Sequence, residues 1–269
     1  MEGNVTEQNY FSWLEKYREK LGIKTSVHVH PLRRGKRDNF SAPAQVLELL
    51  EEYIEIRESD ILPDRMRKVI PTKYTDAFVQ QYMKDPDSVD KDKKEQFEML
   101  LKQVGIDLEY QFFVKEYQGQ DDLFGVVIDR DYNTHTVMQL NEIRKQCIEK
   151  GYHFFITTPC FEFWLLLHLV DVKKQYKGDM QKFRDNEKKT NKHTFTSLQV
   201  SEHAGHSKKI SEKIFRQYYL NHIDYAISQA GKSFSTDVEE LIGTDKTEDS
   251  QKGKLGTNLP ELFKLLREL

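Results

Sequence analysis

Two short apolar runs separated by a helical pattern lie near the middle of the chain. Residues 123–128 are apolar, β-branched towards their end and free of polar alternation, which is typical of a strand covered on both faces. Residues 136–150 carry apolar side chains at helical spacing, and residues 152–158 predict a second strand. A strand, a helix and a strand within roughly 35 residues form a βαβ unit, so we expect a parallel sheet.

The N-terminal pattern predicts a helix, a strand and a second helix. The first helix is expected from Thr6, as its N-cap, to the glycine at position 22. Its apolar face carries Tyr10, Leu14, Tyr17 and Leu21. Residues 23–30 alternate apolar with polar side chains, which predicts a strand with one wetter face. Ser41 and Pro43 then favour the start of another helix.

The pattern changes in residues 57–118, where charged helical stretches dominate. Residues 74–83 and 90–104 predict two helices, and residues 108–115 alternate as in an edge strand. We interpret this region as a mostly helical insertion or cap that leads back into the sheet.

The chain after the second strand is expected to be mostly helical. Pro159 opens a strongly apolar helix over residues 161–170. A polar segment over residues 172–193, expected to be mobile, follows it, and then a long helix over residues 208–230 that a glycine ends. A polar linker over residues 243–256 leads to a short last helix over residues 259–269.

Composition and charge narrow the function classes. Apolar residues make up 38% and charged residues 32% of the 269, a charged but foldable composition. The net charge of −3 predicts no general attraction to nucleic acid, so such a partner must meet a local basic patch, for which residues 33–37 and 173–192 are candidates. Cys147 and Cys160 form no disulfide framework, which favours a reduced, cytoplasmic setting. No apolar run reaches the length of a membrane span, so we expect no membrane partner and no signal peptide.

The strongest candidate chemistry is a pair of carboxylates at the end of the first buried strand. Asp129 and Asp131 are two residues apart, so on an extended chain they project to one side and Arg130 to the other. Open α/β sheets place their sites at the carboxyl ends of parallel strands, and two such acids can bind one small hard cation. The alternative is that Asp129 caps the next helix and Asp131 is a solvated turn residue.

Four further residues are candidates, each with a simpler alternative. Glu2 precedes a glycine and a helix start, as an active-site acid can, but acids are common near helix N-termini. Glu162 enters an otherwise apolar helix, where it meets either a cation or only the helix dipole. His168 fits a satisfied buried histidine better than a ligand. Lys208 is either solvated or a partner for a phosphate.

Other common motifs are absent from the sequence. There is no Walker A loop, GxGxxG or GxSxG, which argues against a P-loop nucleotide hydrolase and a serine hydrolase. His28 and His30 lack further histidines or cysteines at the spacing of a zinc site.

Several motifs resemble the RloB-like (AbiLii-like) family. The first is Glu2-Gly3 followed by Thr6-Glu7 and Asn9-Tyr10-Phe11. The others are IDRD from Ile128, PCFEFWLLLH from Pro159 and GTNLP from Gly256. PCFEFWLLLH is the most specific of them. They anchor most of the chain outside residues 57–118, which look longer than in typical members.

The resemblance implies a Toprim-type fold and a magnesium site. RloB-like proteins are assigned to the Toprim superfamily, a compact α/β fold in which a glutamate and a DxD pair bind Mg²⁺. Carried over, Glu2 is the Toprim glutamate, and Asp129 and Asp131 are the DxD pair. In the related overcoming-lysogenization-defect nucleases an S-x-E acid and a lysine complete the site. Glu162, within Cys160-x-Glu162, and Lys208 resemble these two.

The sequence departs from the family at its start. The family's first strand precedes the glutamate, whereas Glu2 is almost the first residue here. Either the true start lies upstream or this protein lacks that edge of the sheet.

We therefore expect an α/β protein with a Toprim-like parallel sheet flanked by helices, a mostly helical insertion and a C-terminal helical extension. Residues 1–56 form the first part of the Toprim-like domain and residues 119–170 its core with the DxD pair. Residues 57–118 form the insertion, which also carries an edge strand. Residues 171–269 form the basic loop and the extension.

The predicted function is metal-dependent cleavage of DNA or RNA. Glu2, Asp129, Asp131 and Glu162 are the predicted ligands of Mg²⁺ or Mn²⁺, and Glu2, Asp129, Asp131 and Lys208 the predicted catalytic residues. The resemblance further implies bacterial antiphage defence, often beside an ATPase partner. The alternative is a non-catalytic Toprim-like module that binds nucleic acid or a partner ATPase.

Overall fold

A computed structural model of the chain describes residues 5–32, 42–59, 62–104, 106, 122–205 and 209–269. It divides into two compact units. The first comprises Met1–Pro31, Ala42–Ala44 and Leu123–Leu269, and the second comprises Leu32–Ser41 and Gln45–Asp122.

Within the described residues, helices precede the sheet. They are α1 (Thr6–Lys16), α2 (Pro43–Ser59), α3 (Asp64–Lys68), α4 (Asp76–Lys84) and α5 (Lys91–Val104). Short 3₁₀ helices cover Arg18–Leu21 and Pro86–Ser88.

The predicted βαβ unit is confirmed. It consists of β1 (Gly125–Asp129), α6 (Val137–Glu149) and β2 (His153–Thr158), and β1 pairs with β2 in parallel. Thr136 caps α6 through a capping box with Gln139. The helix buries the four apolar side chains of its stripe, which are Val137, Leu140, Ile143 and Cys147.

The other regular elements among the described residues of the first unit are helices and one short strand. They are α7 (Phe161–Leu169), α8 (Val172–Gln175), α9 (Met180–Asp185), α10 (Phe195–Ala204), α11 (Glu212–Ile214), α12 (Ile223–Ser233), α13 (Val238–Ile242), α14 (Glu248–Gln251), β3 (Gly256–Thr257) and α15 (Leu259–Glu268). A π turn, Phe215–Tyr219, and a 3₁₀ turn, Leu220–His222, lie between α11 and α12.

The described residues form a mixed α/β fold with a small three-stranded sheet in the order β1-β2-β3. β3 pairs antiparallel to β2, with Thr157 opposite Thr257, and the two hydroxyl oxygens are 2.8 Å apart. The apolar helix α7 lies at the centre of the core, where Phe163, Trp164 and Leu165 are fully buried. No helix in the described part of the chain has the length and apolar character needed to cross a bilayer.

The second unit has its own apolar core. Phe97 of α5 is fully buried, and its ring centroid lies 4.8 Å from that of Tyr74, 5.3 Å from that of Phe78 and 5.0 Å from that of Tyr82. This unit includes most of α2, whereas the sequence analysis begins the insertion at residue 57. The predicted edge strand over residues 108–115 lies outside the described residues.

The predicted strand over residues 23–30 is wrong. No regular element forms there, because a side chain takes the place of a partner strand: Oε2 of Glu15 accepts a hydrogen bond of 2.7 Å from the Val29 N–H. Thr6 is also not the N-cap of α1. Val5 holds that position and makes no side-chain cap.

Three C-terminal expectations differ from the structure. The predicted helix over residues 208–230 is broken by the π turn, which packs Phe215 and Tyr219 against Tyr10 at 5.4 and 6.1 Å between ring centroids. Its last segment, α12, continues through Gly231 to Ser233. The polar segment 172–193 contains α8 and α9, and the linker 243–256 contains α14 and reaches β3.

Candidate active site

A cavity of about 880 Å³ lies at the carboxyl ends of β1 and β2. Asp129, Asp131 and Glu162 all line it, so the structure brings these three predicted site residues to one place. This is the edge at which parallel strands of open α/β sheets present their functional groups. Glu2 and Lys208, the other two predicted site residues, lie outside the described residues.

Asp129 ends β1 and is half-buried. Its Oδ1 accepts a hydrogen bond of 2.8 Å from the main-chain N–H of Phe161, the first residue of α7. Cys160, at the N-cap position of α7, makes no side-chain cap. Asp129 therefore caps α7 while also lining the cavity. The simpler alternative, that Asp129 caps the next helix along the chain, is wrong, because Thr136 caps that helix, α6.

The turn that carries Asp131 is tied to the link between β2 and α7. The Asp131 N–H donates to the carbonyl of Pro159 at 2.9 Å, and the Arg130 N–H donates to the carbonyl of Thr157 at 2.9 Å. Asp131 has a φ of 20°, which few non-glycine residues adopt. These bonds fix the backbone of the acidic turn relative to the start of α7.

Arg130, between the two acids, points away from the cavity into the protein and is 1% exposed. Nε donates to the carbonyl of Ile242 at 2.7 Å, Nη1 to that of His135 at 2.7 Å, and Nη2 to that of Gln251. Burial lowers the pKa of Arg130 to about 10. The guanidinium thus joins the acidic turn to the ends of α13 and α14.

Glu162 is the second residue of α7 and is half-buried. Burial raises the pKa of the adjacent Cys160 thiol, and the negative charges of Glu162 and Asp129 raise it further. Both carboxylates therefore act on the same sulfur atom. Nδ2 of Asn186 also lies 3.5 Å from Sγ of Cys160.

Basic side chains line the cavity together with the acids. Lys188, Lys192 and His193 belong to a loop that is closed by a β-bridge between Lys188 and Thr194. Lys252 comes from the segment after α14. The cavity therefore carries both carboxylates and ammonium groups, a combination suited to a metal ion and an anionic ligand together.

Lys252 is held by two neighbours in this cavity. Its Nζ lies 2.5 Å from Oδ1 of Asp185 and 5.0 Å from the ring centroid of Tyr132. The hydrogen bond between the two charged groups raises the pKa of Lys252 and lowers the pKa of Asp185. The pairing therefore favours the charged form of both groups.

The donor chemistry of the cavity suits Mg²⁺ or Mn²⁺, which prefer carboxylate oxygens. Among the residues that the structure describes, no group of three or more His, Cys, Asp or Glu side chains is gathered closely enough to hold a metal ion. Asp129, Asp131 and Glu162 thus share the cavity without forming a complete ligand set among the described residues.

His168 lies outside the cavity and is fully buried. Its Nδ1 donates to the carbonyl of Trp164 at 2.9 Å, so Nε2 accepts from the Tyr10 hydroxyl at 3.1 Å. Burial lowers the pKa of His168 to about 3. The structure supports the prediction of a satisfied buried histidine, because both ring nitrogens are engaged within the core.

Sequence analysis missed Lys252, Asp185 and Asn186 as cavity residues. Residues 172–193 and 243–256 have polar patterns typical of a loop and a linker, and neither contains a recognisable motif. The one available signal was the glycine pair at positions 253 and 256, since closely spaced glycines often mark close backbone approach.

Comparison with known families decides the relationship that these motifs indicated. A family model described as RloB-like protein matches residues 1–266. The chain belongs to the RloB-like family. The match to this RloB-like family includes every motif named above and also residues 57–118. Searches of curated proteins and of solved structures returned no match.

Proposed function

We propose that this RloB-like protein is a metal-dependent nuclease that hydrolyses phosphodiester bonds of DNA or RNA. The observation that supports this most strongly is the single cavity shared by Asp129, Asp131 and Glu162 at the ends of two adjacent parallel strands. A Toprim-like arrangement of these acids is part of the proposal.

Neighbouring carboxylates repel each other, and a divalent cation relieves this repulsion. Asp129, Asp131 and Glu162 would hold Mg²⁺ or Mn²⁺, with Glu2 as a further ligand or a general acid/base on the strength of the family resemblance. A metal bound there would supply Lewis-acid stabilisation of charge on the phosphate.

The basic residues of the cavity would bind the nucleic-acid backbone. Lys188 and Lys192 project from the bridged loop and line the same cavity as the acids. Because the net charge of the whole chain is −3, affinity for nucleic acid must come from such a local group and must fall with salt. Lys208 belongs to the proposal on the resemblance alone.

The biological setting is proposed from the family. RloB-like membership supports a role in bacterial antiphage defence and a partner ATPase. Cys147 and Cys160 are both buried and neither forms a disulfide, which fits a cytoplasmic setting where thiols stay reduced.

A second function is a non-catalytic module that binds nucleic acid or the partner ATPase. The hydrogen bond from Phe161 to Asp129 favours it, because a carboxylate that caps a helix has a structural role without any metal. In that case the acids of the cavity maintain the fold alone.

The response of thermal stability to Mg²⁺ separates the two functions. A ligand that binds only the folded state raises the melting temperature. The nuclease proposal predicts that Mg²⁺ stabilises the wild type but not Asp129→Ala/Asp131→Ala, and that only the wild type cleaves nucleic acid. Equal responses of both proteins, without cleavage, would support the binding module.

A further inference from the structure

The backbone on both sides of Lys252 is held by arginines. Arg130 donates to the carbonyl of Gln251, and Nε of Arg184 donates to the carbonyl of Gly253 at 3.1 Å. Arg184 also donates through Nη2 to the carbonyl of Asp249 at 2.7 Å. The residues before and after Lys252 are therefore fixed independently of the lysine side chain.

The backbone conformation of Gly253 also constrains the path of this segment. Its φ is +69°, and a Cβ at this position would overlap the carbonyl oxygen of Leu241. Only glycine adopts this backbone without strain and without moving α13. The segment passes so close to α13 that Lys252 has little freedom to leave the cavity by backbone motion.

The side chain of Lys252 is also unusually enclosed for a lysine. It is 14% exposed, its ammonium lies over the Tyr132 ring, and it pairs with Asp185. By contrast Lys254, two residues later, is 66% exposed and pairs with Glu240. Lys252 lines the cavity together with Asp129, Asp131 and Glu162, whereas Lys254 does not.

Arg130 connects the acidic turn to the backbone next to Lys252. Arg130 lies between Asp129 and Asp131 and donates a hydrogen bond to the carbonyl of Gln251, which precedes Lys252. One buried side chain therefore contacts the backbone next to Lys252 and belongs to the turn that carries the acids.

We infer that Lys252 is a substrate-contacting residue that binds a phosphate of the nucleic acid in this cavity. Asp185 holds the ammonium in place in the absence of substrate, and a phosphate then becomes an additional partner of the same group. This inference rests on the proposed function, since it deepens the description of the same site.

The test is binding of short fluorescent single-stranded DNA and RNA over a range of salt concentrations. Ca²⁺ replaces Mg²⁺, and gels confirm that the probes stay intact. The variants are Lys252→Met, Lys252→Arg and the matched control Lys254→Met. Lys252→Met/Asp185→Asn is included because the single variant leaves Asp185 without its ammonium partner, and melting temperatures verify folding.

Lys252→Met and the double variant should bind about tenfold more weakly or worse, because a charge-assisted contact is lost. The slope of log K against log salt should fall by about 0.7, the value for one contact to a single strand. Lys252→Arg should keep the slope, and Lys254→Met should match the wild type. A merely structural role for Lys252 would weaken binding without changing the slope.

The outcomes distinguish the two proposals. Cleavage by the wild type with equal affinity and slope in Lys252→Met and Lys254→Met would overturn the inference and leave the nuclease intact. Binding that depends on Lys252 without cleavage in any metal would support the inference and overturn the nuclease. Failure of the wild type to bind either probe would overturn the role of Lys252.

Discussion

Asp129 and Phe161 are joined by a hydrogen bond of 2.8 Å, in which the Phe161 N–H donates to Oδ1 of the carboxylate. Asp129 thereby supplies from β1 an acceptor for the first N–H of α7, a helix whose own N-cap residue makes no side-chain cap. The bond locks the end of β1 to the start of α7, and hence places Asp129 beside Glu162. One carboxylate serves both the fold and the proposed site.

Asparagine and alanine at position 129 should separate these two roles. Asp129→Asn keeps an oxygen acceptor, whereas Asp129→Ala removes it, so the alanine variant should be less stable than the asparagine variant by about 1 kcal/mol. Urea unfolding followed by tryptophan fluorescence measures this, since both tryptophans, Trp13 and Trp164, lie in the unit that contains α7. Equal midpoints would contradict the capping role, and both variants should lose the proposed nuclease activity.

Arg130→Met should be strongly destabilising. The variant keeps an apolar stem but leaves the carbonyls of His135, Ile242 and Gln251 without their donor, which should cost about 3 kcal/mol or more. The control is Arg144→Met, whose exposed ion pair with Glu239 should contribute less than about 1 kcal/mol. Similar unfolding midpoints for the two variants would show that the hydrogen bonds of Arg130 contribute little to stability.

Two glycine-to-alanine changes should have opposite effects on the stability of the folded protein. A Cβ at Gly256 would overlap the carbonyl oxygen of Ser235, and its φ of +152° is unfavourable for alanine, so Gly256→Ala should lower the melting temperature. Gly231 lies inside α12 with open space around its Cα, so Gly231→Ala should stabilise by about 0.5–1 kcal/mol. Calorimetric melting of the two variants checks the signs, and stabilisation by Gly256→Ala would refute the close approach of β3 to Ser235.

Burial of His168 should make stability depend on pH. The folded protein lowers the pKa of His168 to about 3, whereas the pKa of an unfolded histidine is about 6.5. The unfolded state therefore binds more protons in this window, and stability falls as the pH falls from 6.5 towards 3. From pH 7 to pH 5 this one group should remove about 2 kcal/mol.

His168→Gln provides the comparison, because glutamine does not titrate. The variant should lose about 2 kcal/mol less than the wild type between these two pH values, as measured by urea unfolding at each. Contributions from the other histidines cancel in the difference. Parallel losses in wild type and variant would mean that His168 is not held neutral in the core.

The central βαβ unit was predictable because its signal is local. The uniform apolar run of β1 and the helical stripe of α6 are properties of consecutive residues, and burial follows from them directly. The same local reasoning placed Asp129, Asp131 and Glu162 at strand ends, and they do line one cavity.

Other elements depend on contacts that local patterns do not encode. β3 has two residues and exists because Thr257 meets Thr157, which is remote in sequence. Lys252 lines the cavity because Arg130 and Arg184, which are distant in sequence, donate hydrogen bonds to the carbonyls of the residues on either side of it. The strand expected over residues 23–30 failed because Glu15 supplied an acceptor that a pattern of alternation cannot reveal.

The most direct test of the account is metal-restored cleavage. EDTA-treated protein is incubated with labelled single- and double-stranded DNA and RNA, and Mg²⁺ or Mn²⁺ is then added back, with and without the proposed ATPase partner. Wild type is compared with Asp129→Ala/Asp131→Ala, Glu162→Gln and the control Glu261→Ala, an exposed acid that does not line the cavity.

The account predicts products only after metal is added, in the wild type and in Glu261→Ala, and none in the variants of the cavity acids. Cleavage that persists in EDTA, or that survives in Asp129→Ala/Asp131→Ala, would contradict it. Absence of cleavage by the wild type with every metal and substrate would equally contradict it and favour the binding module.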